Sequence, residues 1–333
     1  MRVLVTGAAG FIGSHVLKSL LDSQEDVIGL DNFSSYYSVE FKRLRLIGLG
    51  INEANAIIHC DISDFSQVHS VIQDVQPNYI IHLAAQAGVR LSMENSDRYI
   101  SDNITGFHNI IRSAIDNKVE GIIYASSSSI YGDIAPTPYT EKSLIFRPKS
   151  LYGVSKLVNE LNAEIYSKSS LLRFRGLRFF TVYGPWGRPD MAYFRLAAAS
   201  LEKQPFTLFG DGSVKRDFTY IDDVVKSTLL LLSDLTHRER GFNDVVNIGG
   251  WRPMDINYLI KLIESNGEHQ IEMLREEASS LDSKITVADN SYLQSIVGQL
   301  NFTKLEVGVE RLMNWARQGE IRSELPNWIR STV

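Results

Sequence analysis

A short apolar strand, Val3-Leu4-Val5, runs straight into a loop with glycine at every third position, Gly7-Ala8-Ala9-Gly10-Phe11-Ile12-Gly13, and a helical pattern continues from Phe11 to Leu21. Few folds tolerate that junction. Glycines so spaced let the chain turn tightly and let the following helix lie close on the strand. The open N–H groups and dipole of the helix N-terminus then favour an anion such as a pyrophosphate. The spacing departs from the G-x-G-x-x-G fingerprint, and a glycine triplet alone can serve only close packing. The second strand, Val27-Ile28-Gly29-Leu30, ends at Asp31, 18 residues beyond Gly13. A carboxylate there can accept hydrogen bonds from an adenosine ribose. Asn32 and Phe33 follow with no adjacent arginine, so a 2′-phosphate would be repelled and the expected cofactor is NAD.

The alternation continues with strands at Ala56–His59, Tyr79–Leu83 and Gly121–Ala125, and with helical periodicity at 64–75, about 97–117 and 150–168. Residues 32–55 read as loop plus a short helix. This pattern predicts an α/β fold, a Rossmann-type doubly wound parallel sheet with right-handed crossovers. Beyond Leu177-Arg178-Phe179-Phe180 the rhythm loosens, with helices predicted at 192–203, 222–235, 255–266 and 305–318. The expected division is an NAD-binding domain over 1–180, joined by parts of 215–250, and a smaller, interleaved α/β substrate-binding lobe over 181–333.

A chain of 333 residues with formal charge -5 offers no global field for nucleic acid or an anionic membrane surface. Any substrate phosphate must be met by local cations. No apolar run approaches the roughly 20 residues of a membrane span, and Met1–Thr6 is too short for the apolar core of a signal peptide. The single Cys60 suits a reducing compartment. The expectation is a cytoplasmic enzyme. The seven histidines are scattered without ligand spacing, so no metal is expected. A G-x-S-x-G hydrolase elbow is absent.

Tyr152 and Lys156 are one helical turn apart and share a face. An ammonium near a phenol favours the phenolate, which can take a proton from an alcohol while NAD takes a hydride. The pair alone is commonly a solvated helix face. Here it follows the strand ending in Ser126-Ser127-Ser128-Ser129, which places hydroxyls at the carboxyl edge of the sheet, where ligands bind in this fold. Ser127 is the candidate to share the proton with Tyr152, and Ser126 lies on the cofactor side. Leu83, Ala84 and Ala85 are small enough for close backbone approach to the cofactor. Asp61 and Ile62 are adenine-side candidates, with a helix N-cap the equal alternative for Asp61. Asn103 is a structural or cofactor-side polar residue.

Thr6–Ser14, Leu83–Arg90, Tyr152-Gly153-Val154-Ser155-Lys156 and Arg216–Asp223 resemble the extended short-chain dehydrogenase/reductase family, the nucleotide-sugar epimerases and dehydratases. Within it, Phe180–Ala192, the serine run and Ser150-Leu151 look like the UDP-glucuronate 4-epimerases. The resemblance implies a UDP-sugar substrate and C4 epimerisation through a transient 4-keto sugar. Family dehydratases carry Asp-Glu after the catalytic hydroxyl, and decarboxylases carry Glu. Here Ser128 and Ser129 stand there, and neither supplies acid/base chemistry at ordinary pH. The resemblance further assigns Ser128, Ser129, Thr181 and Arg188 to a substrate carboxylate, which they would restrain against loss of CO₂, with Met191 in the same segment. Arg216 and Arg90 are assigned to the UDP phosphates, a surface role being the alternative for Arg90. Phe209, beside Leu208, is assigned to the uracil, with a core role the alternative. Residues 278–289 retain only Thr286-Val287-Ala288-Asp289 of the family's C-terminal pattern. A homodimer through the helices near 97–117 and 152–168 is implied. The open alternatives are another UDP-sugar 4-epimerase, a dehydratase or decarboxylase, a net oxidoreductase, or an NAD-binding protein without activity.

Overall fold

The computed structural model describes residues 1–89, 91–133, 135–143, 145–278 and 283–330. Its strands are β1 (Arg2–Thr6), β2 (Asp26–Asp31), β3 (Ile57–His59), β4 (Tyr79–His82), β5 (Gly121–Ser127), β6 (Arg173–Phe179), β7 (Thr181–Tyr183), β8 (Phe206–Phe209), β9 (Lys215–Tyr220), β10 (Asn243–Ile248), β11 (Pro253–Asp255) and β12 (Met273–Glu276). Seven form one parallel sheet in the order β10-β6-β5-β4-β1-β2-β3. Val3, Leu4, Val5, Ile80, Ile81, Ile122 and Ile123 have no solvent exposure. A parallel sheet is covered by helices on both faces, so its strands read as continuous apolar runs. Helix Phe11–Asp22 covers one face with Val16, Leu17 and Leu20, and helix Gly106–Asp116 covers the other with Phe107, Ile110 and Ile111.

The order of strands reverses between β1 and β4, which pair from Val3↔Tyr79 to Thr6↔His82. Loops leaving those two carboxyl ends diverge and open a crevice, the usual ligand position in such sheets. The chain leaves the sheet after β6, builds a three-stranded sheet β11-β9-β7 and a two-stranded sheet β12-β8, and returns once to add β10 at the edge.

Two expected elements differ. The segment expected to be loop and a short helix contains helix Val39–Gly48, capped by Ser38, and a second short helix, Glu53–Ala56. The single helix expected over 97–117 is a succession: a short helix Ser96–Arg98, a π-helical stretch Tyr99–Thr105, then helix Gly106–Asp116. Wide turns of this kind interrupt α-helices near functional sites. Among the described residues no helix is long and apolar enough to cross a membrane, and no group of three or more His, Cys, Asp or Glu could hold a metal ion.

Candidate active site

One continuous cleft runs from the glycine loop to Tyr152 and on to Arg216. Its first wall is the loop after β1. Gly7 has φ +71, and a Cβ there would come 2.7 Å from the Ala84 nitrogen. A Cβ on Gly13 would meet the Gly7 carbonyl oxygen at 2.0 Å. These glycines therefore permit the helix and the β4 loop to close on each other. Gly10 caps the helix without any side-chain hydrogen bond, leaving first-turn N–H groups for an anion. A dinucleotide's pyrophosphate fits this cradle. Asp31 closes the next turn, its carboxylate accepting from Ala9 N at 2.9 Å and Phe33 N at 2.7 Å while still lining the cleft. Asn32 lies beside it and donates to Asp61 at 3.1 Å.

Gly7, Gly10, Phe11, Ile12, Gly13, Asp31, Asn32, Ile62, Leu83, Ala84, Ala85 and Ser126 all face the same space. Asp61 stands behind it and accepts from the Ser63 N–H and hydroxyl. The cap of helix Phe65–Val75 is Asp64, which removes the N-cap alternative for Asp61. Asn103 is buried and spent on protein groups: its oxygen accepts from Gln86 N at 2.7 Å, and its nitrogen donates to Gln86 O and to the Ser155 hydroxyl, both at 3.0 Å. Ser155 in turn donates to the Tyr152 carbonyl. Asn103 thus ties the loop after β4 to the helix carrying Tyr152.

That helix, Leu151–Ser170, starts at Ser150, whose hydroxyl accepts from Gly153 N. The cap places Tyr152 in the first turn and Lys156 one turn on, its Nζ 5.8 Å from the Tyr152 ring centre. The Ser127 hydroxyl accepts from Ser129 N at 3.1 Å, and its own hydrogen bond reaches the Tyr152 phenol. Ser128 and Ser129 follow on the same rim, with Thr181 opposite. The Ser126 hydroxyl points the other way and donates to Glu160, itself held bidentately by Arg178 at 2.9 and 2.8 Å. That buried pair anchors the end of β5 to the helix carrying Tyr152.

The electrostatics differ from the sequence expectation. Burial pushes the Tyr152 phenol above its ordinary value, although the Arg188 charge and the Ser127 hydrogen bond draw it back down. Burial also brings the Lys156 amine down to about 8. The cation that bears most on the phenol is therefore Arg188, not Lys156. Arg188 is itself paired side-on with Asp190, Nε to Oδ1 at 3.0 Å and Nη2 to Oδ2.

The far end holds Arg216, which lines the cleft and donates to the Ser283 carbonyl at 2.6 Å, near Thr286. Met191 lines the cleft as well, whereas Phe209 ends β8 outside it. Arg90 and residues 279–282 lie outside the described residues.

Residues 3–249 match the NAD dependent epimerase/dehydratase family. The chain belongs to that family. UDP-glucuronate 4-epimerase 4 of Arabidopsis thaliana is 38% identical over 333 residues, covering 95% of this chain and 75% of that protein. The UDP-glucuronic acid 4-epimerase of Bacillus cereus, solved with UDP-glucuronic acid and NAD, superposes with a TM-score of 0.86 at 34% identity, covering 95% of this chain and 98% of its own. The UDP-glucose 4-epimerase of Thermotoga maritima, solved with UDP-glucose, gives 0.85 at 29% identity, over 95% and 99%.

Within this epimerase/dehydratase cleft, the sequence did not point to four residues. Tyr36, Tyr37 and Lys42 come from the segment expected to be loop plus a short helix, and all three line the cleft. Lys42 donates to the Ser34 carbonyl at 2.6 Å, and burial brings its amine down to about 8. Arg45, fully buried, donates to the carbonyls of Ala9 at 2.7 Å and Trp186 at 2.8 Å, so it locks the glycine loop to the Gly184–Asp190 turn. The clue available was the repeat of aromatic and basic residues through 36–45, at helical spacing.

Proposed function

We propose that the protein converts UDP-glucuronate into UDP-galacturonate by NAD-dependent inversion at C4. The observation that carries this reading is the Ser127–Tyr152 hydrogen bond set beside the neutral hydroxyls of Ser128 and Ser129, where a dehydratase or decarboxylase needs ionisable groups. The family membership and the similar uronate 4-epimerases support it.

Bound NAD supplies a hydride acceptor, and later a donor, beside the sugar. The glycine loop and Asp31 would hold its pyrophosphate and ribose ends, and Leu83–Ala85 and Lys156 would take the nicotinamide end. Tyr152, aided by Ser127, accepts the O4 proton as C4 becomes a carbonyl. The 4-keto sugar, its carboxylate still ionised, turns about its diphosphate, and Tyr152 returns the proton to the opposite orientation of O4. Ser128, Ser129 and Thr181 hold the carboxylate near the carbonyl plane, out of the geometry that releases CO₂. Arg216 meets the diphosphate as a fork-shaped donor.

In this reading residues 1–180 with β10 form the cofactor half and the rest of 181–333 the sugar-nucleotide half, in a cytoplasmic setting. A homodimer is part of the proposal, supported by Val154, Leu161 and Ile165 exposed on the catalytic helix beside exposed Ile100.

One observation favours a neutral UDP-hexose instead: Asp190 already neutralises Arg188. Purified protein incubated separately with UDP-glucuronate and UDP-glucose, followed by proton NMR, decides. UDP-galacturonate without net NADH is expected. Its absence, with UDP-galactose formed, would transfer the assignment to the neutral sugar.

A further inference from the structure

A pair of opposite charges borders the cleft, and its carboxylate has no part in the proposed chemistry. Arg188 and Asp190 are two residues apart on the turn after β7, with side chains only 20% and 19% exposed. Tyr36, from the loop after β2, donates its hydroxyl to Asp190 Oδ2 at 3.0 Å, and its ring lies 5.7 Å from the Arg188 guanidinium carbon. Cofactor-side and sugar-side segments therefore meet in this one pair. Gly88 leaves room for it: a Cβ there would come 3.0 Å from the Tyr36 hydroxyl, 3.3 Å from that of Tyr99 and 3.8 Å from Arg188 Nη2. Tyr99 packs edge-on against Tyr152 with ring centres 6.3 Å apart, so the cluster borders the reacting end.

A guanidinium held side-on by a carboxylate keeps its plane fixed and its own charge, while the pair as a whole becomes net neutral. An incoming anionic sugar then finds oriented N–H donors, and the long-range pull of a bare cation in a low-dielectric cleft is cancelled. Burial opposes ionisation of Asp190, but the Arg188 charge and the Tyr36 hydrogen bond outweigh it and keep the carboxyl below its ordinary value. Asp190 thus stays charged across the working pH range.

We propose that Asp190 is a specificity-determining residue. As the internal counter-ion of Arg188, braced by Tyr36, it sets how strongly the cleft favours a carboxylate-bearing sugar over a neutral one. This rests on the uronate reading of the same cleft. Without the counter-ion, Arg188 would grip substrate and product carboxylates alike; with it, recognition is loose enough for turnover.

The test is the ratio of dissociation constants for UDP-glucose and UDP-glucuronate, measured by calorimetry on the NAD-loaded protein. Asp190→Asn should raise that ratio about tenfold. Tyr36→Phe should move it two- to threefold the same way, roughly the effect of one hydrogen bond, and Asp190→Glu should restore it. An unchanged or lowered ratio in Asp190→Asn overturns the proposal. Should that variant not fold, an unchanged ratio in Tyr36→Phe does the same. A wild-type protein that binds UDP-glucose as well as UDP-glucuronate would instead remove the uronate reading itself.

Discussion

At the scale of single residues, the cleft works against its own acid–base groups. Burial raises the Tyr152 phenol, and the charge of Arg188 is the larger of the two influences that oppose it. A base must lose its proton to act, so activity in kcat/KM falls as pH drops through the phenol's pKa. Arg188→Ala removes the stabilising cation, raises that pKa further, and should move the acid limb of the pH–rate profile to higher pH; an unmoved limb would assign the tuning elsewhere. Lys156 shows the same tension as a stability cost. Its amine is depressed to about 8 in the folded protein from 10.5, so between those values the unfolded chain binds more protons and stability rises with pH. Below about pH 8 the cost is constant, on the order of 3 kcal/mol. Lys156→Met should therefore abolish turnover yet raise the melting temperature of NAD-free protein at pH 7, a gain that fades toward pH 10.5. Scanning fluorimetry that showed no gain at pH 7 would contradict this. Thr181 carries no charge to tune, and in the proposed reading its hydroxyl serves restraint alone. Thr181→Val should release a pentose product detectable by mass spectrometry, because a β-keto acid free to rotate loses CO₂.

Elements place those residues, and they differ in how openly the sequence announces them. The glycine junction was legible because its physics is local. Gly13→Ala would drive a Cβ into the Gly7 carbonyl, so the loop must shift and NAD affinity should fall at least tenfold by calorimetry; unchanged affinity would mean that the loop tolerates the closer packing. The catalytic helix was equally legible, since Ser150 and the Tyr152/Lys156 spacing lie within seven residues. Strand β6 was hidden by chemistry. Arg173, Arg175 and Arg178 break up its apolar pattern, yet Arg175 has no exposure, paired with Asp234 and Asp244 at 2.7 Å, and Arg178 is sealed against Glu160. The partners lie up to 69 residues away, beyond any local pattern. β10 was hidden similarly, because Asn243-Asp244 opens it and Asn247 bonds Tyr131 and Tyr139 rather than solvent. A short helix was expected in 32–55, but the bounds Val39–Gly48 were not legible because what steadies it is tertiary: Arg45 on Trp186 and Ala9, and Phe41 against Trp328.

The whole molecule joins these elements through one helix that has two tasks. Leu151–Ser170 turns Tyr152 and Lys156 into the cleft and leaves Val154, Leu161 and Ile165 at 39%, 52% and 63% exposure on another face. Residues 154, 161 and 165 fall on one stripe at helical spacing, and Ile100 at 48% extends the patch onto the π-helical stretch packed against it. In the proposed homodimer a second copy presenting the same stripes would cover these apolar residues by two-fold symmetry. Docking would also steady the helix that positions the phenol and, through Asn103 and Ser155, the loop after β4. Replacing Leu161 and Ile165 together by Glu should leave the monomer folded, since both project into solvent. Like charges brought face to face should then hold the protein at the 37.5 kDa chain mass in light scattering. Turnover should drop more than NAD binding, because the glycine cradle lies on the far side of the sheet's switch point while Tyr152 sits on the released helix. A wild-type protein already monomeric at micromolar concentration would remove the dimer, and a dissociated variant with full turnover would separate assembly from catalysis.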